Sequence, residues 1–231
     1  ISLPKGANLE AINLARELEA LATFSCGEYE ECFVTTYGWW TSNQTLYIAM
    51  EYLELGNLEG HLKTPMPEHH TAEIAFQLTE GLCYMHKNEF AHRDLKPDIS
   101  DFGLSKHAVD GLTALNTRCG TILYTAPEVG DLFSLEELRS LSAEARSTYT
   151  TAVDIWSLGV IIFRMITGTL PFGYNMAGLP DYVTLGRPFP TAPLVRAGAT
   201  RNCIKLVKAT MAASSAARPT AQALLSAPWF E

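Results

Sequence analysis

Between Ala91 and Val129 the chain runs through a polar, turn-rich stretch with little apolar periodicity, flanked on both sides by segments of clear helical pattern. A compact domain seldom holds so long an irregular segment unless that segment has a function. The flanking elements must therefore pin it in place. Downstream, Ala152–Ile166 is apolar nearly all round and also carries Asp154, Ser157 and Arg164. That pattern predicts a helix buried in the middle of a domain. Upstream, from Leu58 onward, the pattern is mostly helical, with Ile74, Leu78, Leu82 and Met85 recurring on one face.

The rest of the chain fills in around this frame. Residues 8–24 read as a helix, with Leu14, Leu18, Leu21 and Phe24 on one face and Glu10, Glu17 and Glu19 at polar positions. Two runs rich in β-branched and aromatic residues, Cys32–Tyr37 and Thr45–Glu51, predict strands. Leu53–Asn57 reads as a connector with a turn signal, and short helices are expected near Ile204–Met211 and Thr220–Leu225. There are no internal repeats. Trp39, Trp40 and Trp156 read as packing residues of the core or its surface, and Asp131–Ser147 as a solvated insert.

Composition excludes some classes. With 47% hydrophobic and 18% charged residues, 231 residues can bury a proper core. A formal net charge of −8 argues against sequence-independent binding of nucleic acid, which needs a basic surface. The cysteines, Cys26, Cys32, Cys83, Cys119 and Cys203, are odd in number and form no C-x-x-C pair, as expected of reduced thiols in an intracellular protein. Ala152–Ile166 is too short and too polar to span a bilayer. No signal peptide is visible, and the expected location is intracellular, cytoplasmic or nuclear; a start at Ile1 rather than Met bounds this only weakly.

The irregular stretch and its downstream flank hold four short motifs in order. Residues 92–97 read His-Arg-Asp-Leu-Lys-Pro and residues 101–103 Asp-Phe-Gly. Residues 120–128 read Gly-Thr-Ile-Leu-Tyr-Thr-Ala-Pro-Glu, and just beyond, residues 154–159 read Asp-Ile-Trp-Ser-Leu-Gly. Met50-Glu-Tyr-Leu53 upstream and Gly168-Thr-Leu-Pro-Phe172 downstream complete the series. Together these resemble the signature set of eukaryotic-type Ser/Thr protein kinases, over essentially the whole chain. The resemblance implies an α+β, two-lobe fold: residues 1–53 as the remnant of a small β lobe and 54–231 as a mainly helical large lobe. It also implies MgATP and a protein substrate as partners; oligomeric state stays open.

Phosphoryl transfer asks a protein for positioning and for neutralisation of phosphate charge. By the resemblance, Asp94 orients the substrate hydroxyl and accepts its proton, Lys96 steadies the γ-phosphate, and Thr121 braces both. Asp101 holds Mg²⁺, a hard cation that takes carboxylate oxygen. Met50, Glu51, Leu53 and Asn57 line the nucleotide site, and Glu17 matches the glutamate that pairs with a phosphate-binding lysine; it reads equally as a solvated face of the first helix. Asp154 is expected to hydrogen-bond the catalytic-loop backbone, Glu128 to pair with Arg218, and His92 and Phe102 to pack structurally. Arg93 would receive a phosphate placed on Thr117 or, second, Thr113; Thr117 reads equally as an unmodified loop residue.

Three departures stand against this. No G-x-G-x-x-G occurs, and Lys5, in a turn-like Leu-Pro-Lys-Gly, is the only lysine before Glu17. Ile1-Ser-Leu resembles the residues just after the phosphate-pairing lysine in relatives, as if the chain began directly beyond it. Only seven positions separate Asp94 from Asp101, fewer than the family pattern needs, and Ile99 stands where the second metal-ligating asparagine belongs. A segment next to Asp98 is missing from the pattern. Seven extended residues can reach about 25 Å, so the loop can still close. The chain thus reads as a kinase in incomplete form, with a pseudokinase scaffold and an unstable relic as alternatives.

Overall fold

Aromatic and β-branched residues pair as a hairpin of two antiparallel strands, β1 (Thr36–Ser42) and β2 (Thr45–Met50), with Thr36 opposite Met50 and Ser42 opposite Thr45. The computed structural model describes Leu18 and residues 21–24, 32–43, 45–97, 121–129 and 143–231, with backbone only at 121, 122 and 143–150. Residues 21–24 are helical, as the pattern over 8–24 predicts for that part. The first strand starts four residues later than the expected Cys32. Phe33 and Val34 leave the ladder because they are buried elsewhere, Phe33 stacking on Phe24 at 4.9 Å between ring centres in a cluster with Met85. Trp40 stacks on Tyr47 across the hairpin, and both rings, like Trp39, stay exposed; of Trp39, Trp40 and Trp156 only the last is a core residue.

After the hairpin the chain is helical. A 3₁₀ turn, Leu58–His61, leads into α1 (Glu68–Lys87). Pro67 stands before the first turn, Glu68 lies in it and Lys87 in the last, each charge matched to the helix dipole. The buried face is Thr71, Ala75, Thr79, Leu82 and Met85, while Ile74 and Leu78 are half-buried, so the expected stripe is rotated. Two threonines can be buried because each hydroxyl bonds back up the helix, Thr71 to Pro67 O (3.1 Å) and Thr79 to Ala75 O (2.6 Å).

The apolar run forms α2 (Ala143–Thr167), which starts nine residues before the expected Ala152 and so draws the end of the supposed insert into the helix. From Ala152 to Phe163 every residue is buried. α2 is the axis on which α1, α5 (Arg201–Thr210) and the loop segments around residues 121–129 pack. Between α2 and α5 come α3 (Leu179–Thr184) and α4 (Ala192–Arg196), and α6 (Ala221–Leu224) ends the series. The periodicity does not predict α3 or α4. Each has Pro in its first turn, Pro180 and Pro193, where the missing N–H costs nothing. Thr200 and Thr220 cap α5 and α6 by accepting the N–H of Cys203 (3.2 Å) and Ala223 (3.1 Å). Among the described residues no helix is long and apolar enough to cross a membrane.

The α2–α5 contact has one tight point. A β-carbon built on Gly159 would lie 2.4 Å from Thr210 Oγ1 and 2.6 Å from Met211 Cγ. Helix propensity alone would make alanine better there by about 1 kcal/mol. Sterics decide the sign, because the neighbours are fully buried and have no space to move into. Gly159→Ala is therefore expected to destabilise the fold by about 1–3 kcal/mol, read from the urea midpoint.

Candidate active site

The segment His92–Pro97 is an irregular loop held from below by one carboxylate. Asp154, the third residue of the buried part of α2, is fully buried. Its Oδ2 accepts the backbone N–H of His92 (2.8 Å) and its Oδ1 that of Arg93 (2.6 Å); the His86 ring, from the last turn of α1, lies 2.9 Å from Oδ2. Arg93 needs this grip, since its φ of 61° lies in the left-handed region that non-glycine residues avoid. Asp154 was expected to hold this backbone, and it does.

The same geometry orients Asp94. Its N–H points to His92 Nδ1 at 3.3 Å, and its Oδ2 lies 3.4 Å from Lys96 Nζ. Its Oδ1 is buried and has no hydrogen-bond partner among the described residues. Leu95, between the two charged residues, is buried in the main core and anchors the loop between them. At the far end, Pro97 O accepts the N–H of Glu59 (2.8 Å), tying the loop to the 3₁₀ turn after the hairpin.

Burial shapes the protonation of the supports. It holds the His92 imidazole below its usual pKa, against the pull of the Asp154 and Asp94 carboxylates. It lowers Arg93 too, with Asp154 opposing. Burial would raise Asp154, but the hydrogen bond and charge of His86, the charge of His92 and the Arg93 N–H together bring it below the ordinary carboxylate value. Neutral His92 with Nδ1 accepting leaves its Nε2 without a partner among the described residues, which suits a packed structural residue better than an acid–base group.

The segment ending in Ala-Pro-Glu also packs on α2. Thr121, of which only the backbone is described, opens a 3₁₀ turn, Thr121–Tyr124, and a second lies at Pro127–Val129. Ser157 Oγ lies 2.8 Å from Tyr124 O. Glu128 and Arg218 form the expected pair, buried and two-pronged: one contact is through Nη1, the other through Nη2 to Oε2 at 2.8 Å. Arg218 also donates to Ala212 O (2.9 Å) and Ala152 O (3.0 Å) and stacks over Trp156 at 5.0 Å.

At the connector, Glu51 N–H bonds to Thr35 O (2.9 Å), and Met50 ends β2 half-buried; Leu53 is exposed. Asn57 caps the 3₁₀ turn, its Oδ1 accepting Gly60 N–H at 3.1 Å. Glu17, Asp101, Phe102, Thr113 and Thr117, and the junction at Asp98 and Ile99, lie outside the described residues. Sequence reasoning missed a cluster on the outer edge of this site. Arg164 donates to Tyr124 Oη through Nη1 and to Glu59 through Nη2. Burial works against its charge, but these two partners outweigh it and hold the guanidinium above its usual pKa. A cation inside an otherwise apolar helix was the one signal that could have found it.

A buried aspartate that organises an irregular loop, a carboxylate–lysine pair on that loop, and a buried Glu–Arg bridge behind it are what the motif series implies. The chain belongs to the protein kinase domain family, whose model matches residues 2–230. It is 32% identical over 203 residues to serine/threonine-protein kinase cds1 of Schizosaccharomyces pombe, covering 82% of this chain and 42% of that protein. It is 29% identical to serine/threonine-protein kinase RAD53 of Saccharomyces cerevisiae, covering 94% and 28%. The chain thus spans less than half the length of these curated relatives. The crystal structure of Rad53 1-466 in complex with AMP-PNP superposes with a TM-score of 0.67 at 25% identity, over 93% of this chain and 54% of that one. That of Rad53 kinase domain and SCD2 does so at 0.71 over 97% and 80%, a likeness of fold alone at 24% identity. The two-lobe kinase fold expected from the motifs is the fold of this chain.

The supports give two expected outcomes. Removing one partner of a buried ion pair leaves a bare charge, so Glu128→Gln should cost about 3–5 kcal/mol in denaturant unfolding. With acid, the unfolded chain takes up a proton near pH 6.5 that buried His92 refuses, so stability should fall as pH drops through about 6.5. Asp154, lowered in the fold, adds a further loss only below about pH 4, where the unfolded carboxylate protonates first. His92→Gln should flatten the first of these slopes and leave the second, as read by melting temperature across pH.

Proposed function

We propose that this chain is the catalytic part of an ATP-dependent protein serine/threonine kinase, its residues 1–53 contributing to a small lobe and 54–231 forming the large one. The observation that supports this most is Asp94: one carboxylate oxygen is engaged 3.4 Å from Lys96, and the other is buried and unpartnered among the described residues. An orphan acceptor of this kind in a native fold calls for an occupant. A Ser or Thr hydroxyl of a protein substrate is a donor of the right kind. The loop cannot rotate away, because Asp154 fixes the backbone just before it.

In this reading Asp94 Oδ1 takes the hydroxyl proton as the substrate oxygen bonds to the γ-phosphorus of ATP and the bond to the leaving ADP oxygen breaks. Lys96 stabilises charge on the transferred phosphoryl group, and the lysine–aspartate contact keeps both in register. Mg²⁺, when bound, neutralises the phosphates; Asp101 would hold it, and Ile99 supplies no second oxygen ligand. Met50, Glu51, Leu53 and Asn57 face the nucleotide, Glu17 supports it from the small lobe, and Thr121 braces the loop. Arg93 receives phosphate on Thr117 or Thr113. The matching Rad53 structure carries AMP-PNP, in keeping with a nucleotide site. A cytoplasmic or nuclear location goes with this role.

Ile99 favours a second reading, a pseudokinase that binds a partner protein through the large lobe. Two measurements separate them. For the enzyme, MgATP at a hundredfold excess over its Kd should raise stability by about 2.7 kcal/mol, seen as a rise in Tm. Asp94→Asn should then lower phosphotransfer by about 10²–10⁴ with the Tm rise retained. A folded chain whose Tm ignores millimolar MgATP, and which transfers no phosphate, leaves the scaffold reading.

A further inference from the structure

Arg164 is a costly residue where it stands. The helix around it is apolar, its side chain is 13% exposed, and a buried cation is retained only with partners. Its two partners come from distant parts of the chain. Nη1 donates to the phenol oxygen of Tyr124, in the Gly120–Glu128 segment, and Nη2 to the carboxylate of Glu59, in the 3₁₀ turn after the hairpin. Both are themselves tied down. Tyr124 O is 2.8 Å from Ser157 Oγ, two turns back along α2, so this one helix grips Tyr124 at its carbonyl and at its ring. Glu59 N–H is bonded to Pro97 O, the last residue of the loop that carries Asp94 and Lys96.

One planar guanidinium therefore spans the gap between two irregular segments that share no regular structure. A partly exposed pair such as Arg164–Glu59 adds little net stability, with Glu59 41% exposed. Its value is geometric: the planar fork fixes two acceptors relative to each other, which a lysine ammonium cannot do.

We propose that Arg164 is a positioning residue that sets the Tyr124 segment against the Asp94–Lys96 loop, and thereby the place where a protein substrate lies relative to the catalytic aspartate. The functional half rests on the kinase reading; the clamp itself does not.

The test uses the full chain as wild type, Arg164→Met, Arg164→Lys, Tyr124→Phe and the double variant Arg164→Met/Tyr124→Phe. Amide hydrogen exchange reads the clamp without catalysis. Arg164→Met should speed exchange at Glu59 and across residues 121–129 together, by about tenfold, with α5 unchanged. Arg164→Lys should restore only one of the two segments. Tyr124→Phe, which keeps the ring and removes one oxygen, should loosen 121–129, and the double variant should add little beyond Arg164→Met, because both remove one interaction. Unchanged exchange in both segments, uniform loosening of the whole chain, or full additivity overturns the clamp. Kinetics then read its use. Arg164→Met should raise KM for a protein substrate about tenfold and leave KM for ATP within about twofold. Phosphotransfer with an unaltered protein-substrate KM overturns the positioning role. Wild type without phosphotransfer overturns the kinase reading instead, and hydrogen exchange alone then decides the clamp.

Discussion

The His92–Pro97 loop depends on one carboxylate beneath it. Asp154 is fully buried and takes three donors, the His86 ring and the backbone N–H groups of His92 and Arg93. Each oxygen faces the loop, so the two amide vectors are fixed together. That grip is what makes a left-handed φ at Arg93 tenable, and the turn at Arg93 is what carries Asp94 and Lys96 outward. A buried carboxylate would be expensive alone; here the His86 ring from α1 and the Arg93 N–H of the loop are among the groups that lower its pKa. Structure and charge are satisfied by one set of bonds.

α2 extends the principle along its length. Asp154 holds the His92–Pro97 loop, Ser157 the Tyr124 carbonyl, and Arg164 the Tyr124 phenol oxygen and Glu59. These polar residues sit on a helix whose other side chains from Ala152 to Phe163 form the core. A rigid apolar rod with polar outlets can position irregular segments better than the segments could position themselves. The buried Glu128–Arg218 bridge does the same from the C-terminal side, with Trp156 of α2 beneath the guanidinium.

Much of this was legible in residue order. The motifs around residues 92–97 and 120–128, Asp154, and the Glu128–Arg218 pair combine residue types that have few other uses together, so the motif series points to their contacts. Local pattern failed where tertiary burial overrode it. Cys32–Thr35 has strand composition, yet Phe33 turns inward to Phe24 and Met85. α1 buries threonines in place of Ile74 and Leu78, because back-bonded hydroxyls cost little and its neighbours want small side chains. α3 and α4, of six and five residues, are too short to show a helical period. Arg164 lies 40 positions from Tyr124 and 105 from Glu59, and no local signal joins them.

The contrast between the intact supports and Ile99 has a physical reading. Asp154, Arg218, Arg164 and the core of α2 all lie in the part of the chain from Leu58 onward, where the helices pack into one continuous core. The internal departure, Ile99 where the motif series has a metal-ligating asparagine, concerns a group that would touch metal. A side chain without oxygen there would remove one metal ligand, and leaves the packing that sets Asp94 and Lys96 in place. The packing from Leu58 onward therefore holds the His92–Pro97 loop in one geometry whatever residue stands at position 99, because its anchors are Asp154 of α2 below and the buried Leu95 within it.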